Sequence, residues 1–541
     1  MVKAHDLYND FAAASRPFRA DADIADVEVE GEIPKELDGT FYRVMQDPYY
    51  DRDYYLDGAK TIPFDGDGSI SAFRIKDGKA SFQQRYVMTK RLVAERKAGR
   101  SLFGMYRSPF SHHPCVRAVA DTTANTNVIL HAKKLLALCE HGPGYVLDPN
   151  SLRTIGIDMF PGEIDPNLPF TAHPHVDPVT GELCAFAYGL KGIGTPQISV
   201  YLIDKDGKKT FQRDFEFDKD EINDSGMIHD CAITENYIIL YRMPFIVDTK
   251  NVEEPGKHQW YYDEKAPAWF GLVPRRDATK PVRWFQYKNC MAIHSGGSFE
   301  ENGKVYFDSS TASHNAFAFL PCRHGPNPPP NDITVNYIRW CIDPNAVSDK
   351  MEDPEVLLSV PCEFPRVDER FLMKKPRYTF LDCFKPEAGN AAQLYQGLNA
   401  LARIDSQKQE IEYFVPGPDC LVQEPAFSPR SPDAPEGDGF LITMVDNMAH
   451  HRNEVIVQDT RDFQKVVAKI VLPFRKFAEN PESENDRREM VSFPRARLNV
   501  ILGLRSAVHG NWVDAERIPA TEPSVIQPFA DIYPDVPTVR V

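Results

Sequence analysis

None of the ten cysteines in this 541-residue chain forms a C-x-x-C pair, and they lie scattered between positions 115 and 420. That spacing excludes a cysteine-built metal cluster. No stretch approaches the roughly 20 apolar residues a membrane-spanning helix needs. The opening run, MVKAHDLYNDFAAASRPFRAD, lacks the apolar segment of a secretory signal. Free thiols in a reducing, cytoplasmic setting are therefore expected. Sustained basic runs are also missing, and the net charge is −16. That balance argues against nucleic acid and against electrostatic attachment to anionic membranes. Neither an HExxH helix nor a WD or kelch period occurs.

What the chain does have is turn chemistry, with 44 prolines and 31 glycines, and 42% hydrophobic residues, enough for a sizeable core. Short segments rich in β-branched and aromatic residues recur: TNVILHA (126–132), GELCAFAYGL (181–190), QISVYLID (197–204), YIILYRMPF (237–245), KVYFDSS (304–310), GFLITMV (439–445) and NEVIVQDT (453–460). Gly, Asn, Asp and Pro separate them, a cadence that predicts a large antiparallel all-β protein. One amphipathic helix is predicted within 87–103, ending near Gly99, and 322–332 and 478–489 read as loops. No linker interrupts the composition, so residues 1–541 read as a single domain with elaborated loops on one face.

Four histidines stand in dissimilar contexts: His173 in TAHPHVDP, His229 in GMIHDCAIT, His294 in AIHSGGSFEE and His509 in AVHGNWVD. A site made of single histidines so far apart needs a fold that returns repeatedly to one axis, as a propeller does. Neutral imidazole suits iron, copper and zinc, and four of them leave two open positions on an octahedral iron. Since i and i+2 share a face in a strand, His175 competes with His173.

Read in order, FYR, FDGDG, TANTNVI, LLALCE, AHPHVDP, EFP, EPAF and HGN resemble the carotenoid cleavage oxygenase family over nearly the whole chain. The resemblance implies a seven-bladed β-propeller with a loop and helical cap over a non-haem Fe(II) ion, held by His173, His229, His294 and His509. The implied reaction splits an alkene with O2 into two carbonyl products. It also implies three carboxylates behind the ligands, Glu140, Glu363 and Glu424, because ligating histidines usually donate their other N–H to an acceptor. Glu300 and Glu301, next to Asn302-Gly303, read instead as the start of a turn. The family places Thr126 against one open metal position.

Phe64 and Tyr106 match the stilbene-cleaving bacterial and fungal branch, where an aromatic stacks on the substrate ring and a tyrosine hydroxyl meets its phenol. That branch typically has a lysine before the first glutamate; here the residue is Cys139. Relatives often carry Asn-Ala after the third histidine, whereas this chain has Ser295-Gly296-Gly297-Ser298, read as altered pocket lining. The expectation is an iron dioxygenase acting on a 4-hydroxyphenyl alkene, of isoeugenol, vinylguaiacol, coniferyl or stilbene type, and releasing an aromatic aldehyde such as vanillin. Its partners are O2 and that small molecule. A carotenoid or apocarotenoid oxygenase and a propeller that only binds ligands are the alternatives.

Overall fold

A computed structural model describes residues 17–50, 65–106, 108–119, 122–219, 224–248, 259–317, 320–329, 332–388, 397–450, 452–475 and 507–520. Seven antiparallel sheets of four to six strands are arranged as the blades of a β-propeller, and a two-stranded ribbon pairs Phe245–Val247 with Trp260–Tyr262. Every segment named above as strand-forming falls on a strand, for example Asn127–His131, Leu183–Tyr188 and Gly439–Asn447.

Burial follows distance from the axis. The inner strand Met227–Ile233 is buried at every residue, while the outer strand Lys209–Glu216 alternates between exposed and partly buried positions. Hydrophobic clusters lie between sheets. One joins Phe186, Leu240, Trp269 and Ile293 from three consecutive blades.

The ring is closed twice by strands distant in sequence. Ala507–Asp514 pairs with Gly39–Gln46, and Glu28–Gly31 pairs with Val466–Arg475. The second joint is wrapped in its own cluster around Phe41, Phe73, Ile442 and Ile470. Because each terminal strand completes the other end's sheet, no blade can peel away without breaking a ladder.

The helix forms at Lys90–Ala98, capped by Thr89 accepting from Leu92 N and ended by Gly99 at φ 66°. Its buried face is Arg91, Leu92 and Glu95 rather than an apolar stripe. Arg91 donates to Asp65 O (2.9 Å), and Glu95 Oε1 accepts from Leu102 N (2.9 Å) and Phe103 N (3.0 Å). The helix is thus a polar bracket that fixes the segment leading to Tyr106. Residues 323–329 are loop as expected. The segment 478–489 lies outside the described residues. Asn302 and Gly303, both at positive φ, turn the chain after Glu300 and Glu301.

Candidate active site

Each inner strand that carries a site residue is irregular at that residue. The ladder of Met227–Ile233 shifts between Ile228 and Cys231, around His229. Met291–Glu301 shifts between Ala292 and Ser295, around His294. The pairing of Ala507–Asp514 shifts next to His509, and that of Cys362–Arg366 shifts between Glu363 and Arg366. Bulges re-aim side chains beside active sites, and here they turn them toward the axis. His173 lies outside any ladder, just before His175–Val176, where its N–H donates to Thr171 Oγ1 (2.9 Å).

The four rings meet on the axis. His173 lies 4.5 Å from His229, 5.2 Å from His294 and 4.6 Å from His509 between ring centroids, and all four residues are buried. Ring nitrogens of His173, His229 and His294 lie within 4.8 Å of one another. Carboxylates stand behind three of the rings. His229 Nδ1 contacts Glu140 Oε2 (2.5 Å), His294 Nδ1 contacts Glu363 Oε2 (2.6 Å) and His509 Nδ1 contacts Glu424 Oε1 (3.1 Å).

Each carboxylate is held in turn. Tyr188 donates its hydroxyl to Glu140 Oε1, and Phe364 N donates to Glu363 Oε2 (2.9 Å). Gly510 N donates to Glu424 Oε2 (2.7 Å), and Arg366 Nε lies 3.0 Å from Glu424 Oε1. Burial alone raises a carboxyl, but Arg366 and His509 overcome it and hold Glu424 down at about 2. Burial, reinforced by the neighbouring histidines, holds His173 well below its ordinary value.

This donor set fits a divalent metal. An ionised carboxylate only accepts, so each Nδ1 it contacts carries the proton and the matching Nε2 presents a lone pair. His229 Nε2 and His294 Nε2 face each other at 3.1 Å, and the Nε2 atoms of His173 and His509 are buried with no hydrogen-bond partner. Lone pairs converging without a proton between them repel; a cation among them removes the conflict.

A cavity of about 180 Å³ opens on His229 and His294. Met105, Met227, Trp260, Phe317, Leu320 and Phe364 supply its apolar walls, and Thr126, Cys139 and Tyr106 also line it. Phe364 stacks on His294 at 4.9 Å. Thr126 Oγ1 donates to Asn125 Oδ1 (3.0 Å). Tyr106 donates its hydroxyl to Glu140 O and receives Cys139 Sγ at 3.1 Å. Its single proton is therefore engaged. Tyr106 N donates to Asp65 Oδ1 (2.6 Å), and Asn125 Nδ2 donates to Gly66 O (2.8 Å), so the FDGDG turn ties the tyrosine segment to the Thr126 strand. Phe64 lies outside the described residues.

A second cavity, about 460 Å³, meets the cluster through His173, His294 and His509 and is lined by charged groups including Asp177, Asp230, Arg366 and Asp368. His175 turns into it, 3.3 Å from Asp230 Oδ1 and 3.2 Å from Ser295 Oγ. The two-residue strand starts after His173, so the shared-face argument for a 173/175 chelate does not hold.

The Ser295–Ser298 run also differs from its reading as pocket lining. Of its four residues, Ser295 alone lines either of the two cavities described above. A Cβ on Gly296 would stand 2.0 Å from the Tyr337 hydroxyl, one on Gly297 would stand 2.4 Å from Pro376, and Ser298 donates to Ile233 O (2.6 Å). Close packing within their own blade, at Tyr337, and against neighbouring segments, at Pro376 and Ile233, sets these residues. Arg366 and Tyr188, both in direct contact with the carboxylates, escaped sequence reasoning. Arg366 follows EFP directly, which is the signal that offered it.

Comparison with known proteins agrees with this geometry. The family model described as retinal pigment epithelial membrane protein matches residues 15–477. The chain is 40% identical over 524 residues to resveratrol cleavage oxygenase 1 of Botryotinia fuckeliana, covering 95% of this chain and 87% of the relative. It is 35% identical to isoeugenol monooxygenase of Pseudomonas nitroreducens, covering 92% and 96%. The crystal structure of Pseudomonas brassicacearum lignostilbene dioxygenase superposes with a TM-score of 0.82 at 35% identity, covering 93% of this chain and 98% of that one. Among the described residues no helix is long and apolar enough to cross a membrane.

Proposed function

The chain belongs to the carotenoid cleavage oxygenase family and is an O2-dependent, alkene-cleaving oxidoreductase, and we propose that its substrate is a 4-hydroxyphenyl alkene of the isoeugenol, vinylguaiacol, coniferyl or stilbene kind. One alkene and one O2 give two carbonyl products, of which one is an aromatic aldehyde of the vanillin type. The observation that carries this reading is the cavity of about 180 Å³ beside His229 and His294. Pockets for larger ligands run from about 300 Å³ upward, and an apolar cavity of about 150 Å³ holds one benzene ring. The space therefore suits one ring with a short unsaturated tail better than a long polyene.

His173, His229, His294 and His509 hold the iron(II) in this reading, and iron bound there supplies the activation of O2. Around it the chain performs four tasks. Glu140, Glu363 and Glu424 keep the Nδ1 protons in place, so the Nε2 atoms remain ligands. Thr126, with its hydroxyl proton engaged by Asn125, crowds one side of the metal position. Tyr106, lining the cavity beside Cys139, meets the substrate phenol and so positions the ring. The methionines, Trp260 and Phe364 keep water from the alkene. The test is O2 uptake and aldehyde release by the iron-loaded protein with isoeugenol, 4-vinylguaiacol, resveratrol and an apocarotenal. Preference for the apocarotenal would overturn the assignment of substrate class.

A further inference from the structure

One buried polar atom in the cavity has no part in the scheme above. Gln259, 4% exposed, precedes the ribbon strand Trp260–Tyr262 and lines the 180 Å³ cavity. Its Nε2 donates to Tyr106 O at 3.1 Å. That bond decides which way the amide faces, because the reverse orientation would set two acceptors against each other. The other end, Oε1, is buried and makes no hydrogen bond. A buried amide oxygen left unsatisfied costs free energy, and native proteins rarely keep one without a use.

The rest of this end of the cavity sets what Oε1 can take. No lysine or arginine is among the described residues lining it. Lys134, one strand away, spends its ammonium on Met159 O (2.7 Å). Cys139, where a lysine could have met an anionic oxygen, offers only a weak S–H donor, already directed at the Tyr106 oxygen. A phenolate would find a fixed acceptor and no lysine or arginine. A neutral phenol, catechol or other hydroxyl donor finds a fixed acceptor that lacks a partner.

We infer that Gln259 Oε1 is the acceptor for a substrate hydroxyl, so that the protein selects the neutral phenol and rejects both phenolate and methyl ether. The inference rests on reading this cavity as the site of a phenolic alkene. Gln259 would be a specificity-determining residue, with Tyr106 O as the group that aims it.

The test compares isoeugenol with its methyl ether on full-length, iron-loaded wild type, Gln259→Met and Gln259→Leu. Wild type should favour the free phenol at least about tenfold in kcat/KM, and both variants should lose most of that ratio by slowing the phenol about tenfold, the size of one lost hydrogen bond. Binding of 4-propylguaiacol and its methyl ether, which have no alkene to cleave, reads the same ratio without turnover. Full phenol preference in both variants, in rate and in binding, overturns the inference while leaving the alkene-cleaving assignment intact. Phenol preference in binding that is lost in Gln259→Met, with no phenolic alkene cleaved, overturns the assignment and leaves the acceptor role standing. A third arm needs wild type alone: 4-nitrophenol should bind at least about tenfold more weakly once ionised. Equal or tighter binding of the anion overturns the inference even where neither variant folds.

Discussion

Replacing each of the three histidine-facing glutamates with glutamine should not give three equal results, and the order follows from what each oxygen touches. The change keeps shape, removes a negative charge and turns one acceptor into a donor. At Glu363 the new NH2 can take the Oε1 position, which has no hydrogen-bond partner, while the amide oxygen still accepts from His294 and Phe364 N. At Glu140 the amide oxygen must face His229, so the NH2 meets the Tyr188 hydroxyl, and that buried proton loses its acceptor. At Glu424 neither orientation works. Oε1 serves His509 and Arg366, and Oε2 serves Gly510 N, so the NH2 faces a donor either way and Arg366 loses its counter-charge.

Outer partners of ligating histidines change affinity or activity about 10- to 100-fold, or about 1.4–2.7 kcal/mol. Glu363→Gln should fall at the low end and Glu140→Gln near the top, since an unsatisfied buried donor adds about 1–3 kcal/mol. Breaking a buried ion pair costs about 3–5 kcal/mol. Arg366 keeps 19% side-chain exposure, so the lower figure applies to Glu424→Gln. The assay is iron retained after dialysis against a chelator, alongside kcat/KM from O2 uptake. Equal losses in all three variants, or a greater loss in Glu363→Gln than in Glu424→Gln, would refute the reasoning.

Alanine in place of His173, His229, His294 or His509 should abolish activity and sharply reduce bound iron by elemental analysis, whereas His175→Ala, whose ring faces Asp230, should keep most of it. Tyr106→Phe should lower kcat/KM for a free phenol with iron content unchanged; equal rates on phenol and 4-methoxy analogue in wild type would refute a phenol-directed site. Cys139→Lys should raise the ratio of specificity constants for resveratrol over isoeugenol, and Cys139→Ala should leave isoeugenol cleavage nearly unchanged. Gly296→Ala forces a methyl to within 2.0 Å of the Tyr337 hydroxyl, so thermal unfolding should show a loss of about 1–3 kcal/mol, typical of overpacking.

Much of the architecture was legible because the signals were local. Strand segments such as GFLITMV and QISVYLID alternate or run apolar over the right length, and Gly99 ends a helix for a backbone reason. The propeller itself was legible only through resemblance. Its blades share no repeat, and its closure joins residues near 40 to residues near 510, a pairing no window of sequence contains. The histidines stood out by context. Their orientation did not, because it depends on ladder irregularities at Ile228/Cys231 and Ala292/Ser295, which break the period of two that sequence reading relies on. Gln259 carries no motif; only its burial and its pinned amide mark it.

The charges around the four histidines bear on the metal independently of geometry. Glu140, Glu363 and Glu424 bring three negative charges against the rings, and Arg366 returns one positive charge. Burial raises Asp230, but His175 and His294 overcome it and hold it down at about 2, so it adds a further negative charge beside His294. The cluster is net negative, and uncompensated charge away from water is among the costliest states a fold can hold. Protonated histidines are the other source of positive charge, and the cluster divides: burial and mutual repulsion hold His173 well below its ordinary value and burial lowers His509, whereas at His294 burial is outweighed by Glu363, which raises it. A cation at the converging Nε2 atoms offsets the negative charge and occupies the lone pairs in one step. The proposed iron(II) therefore suits these residues in the sign of its charge as well as in ligand type, and Arg366, beside Glu424, moderates the negative field it would meet.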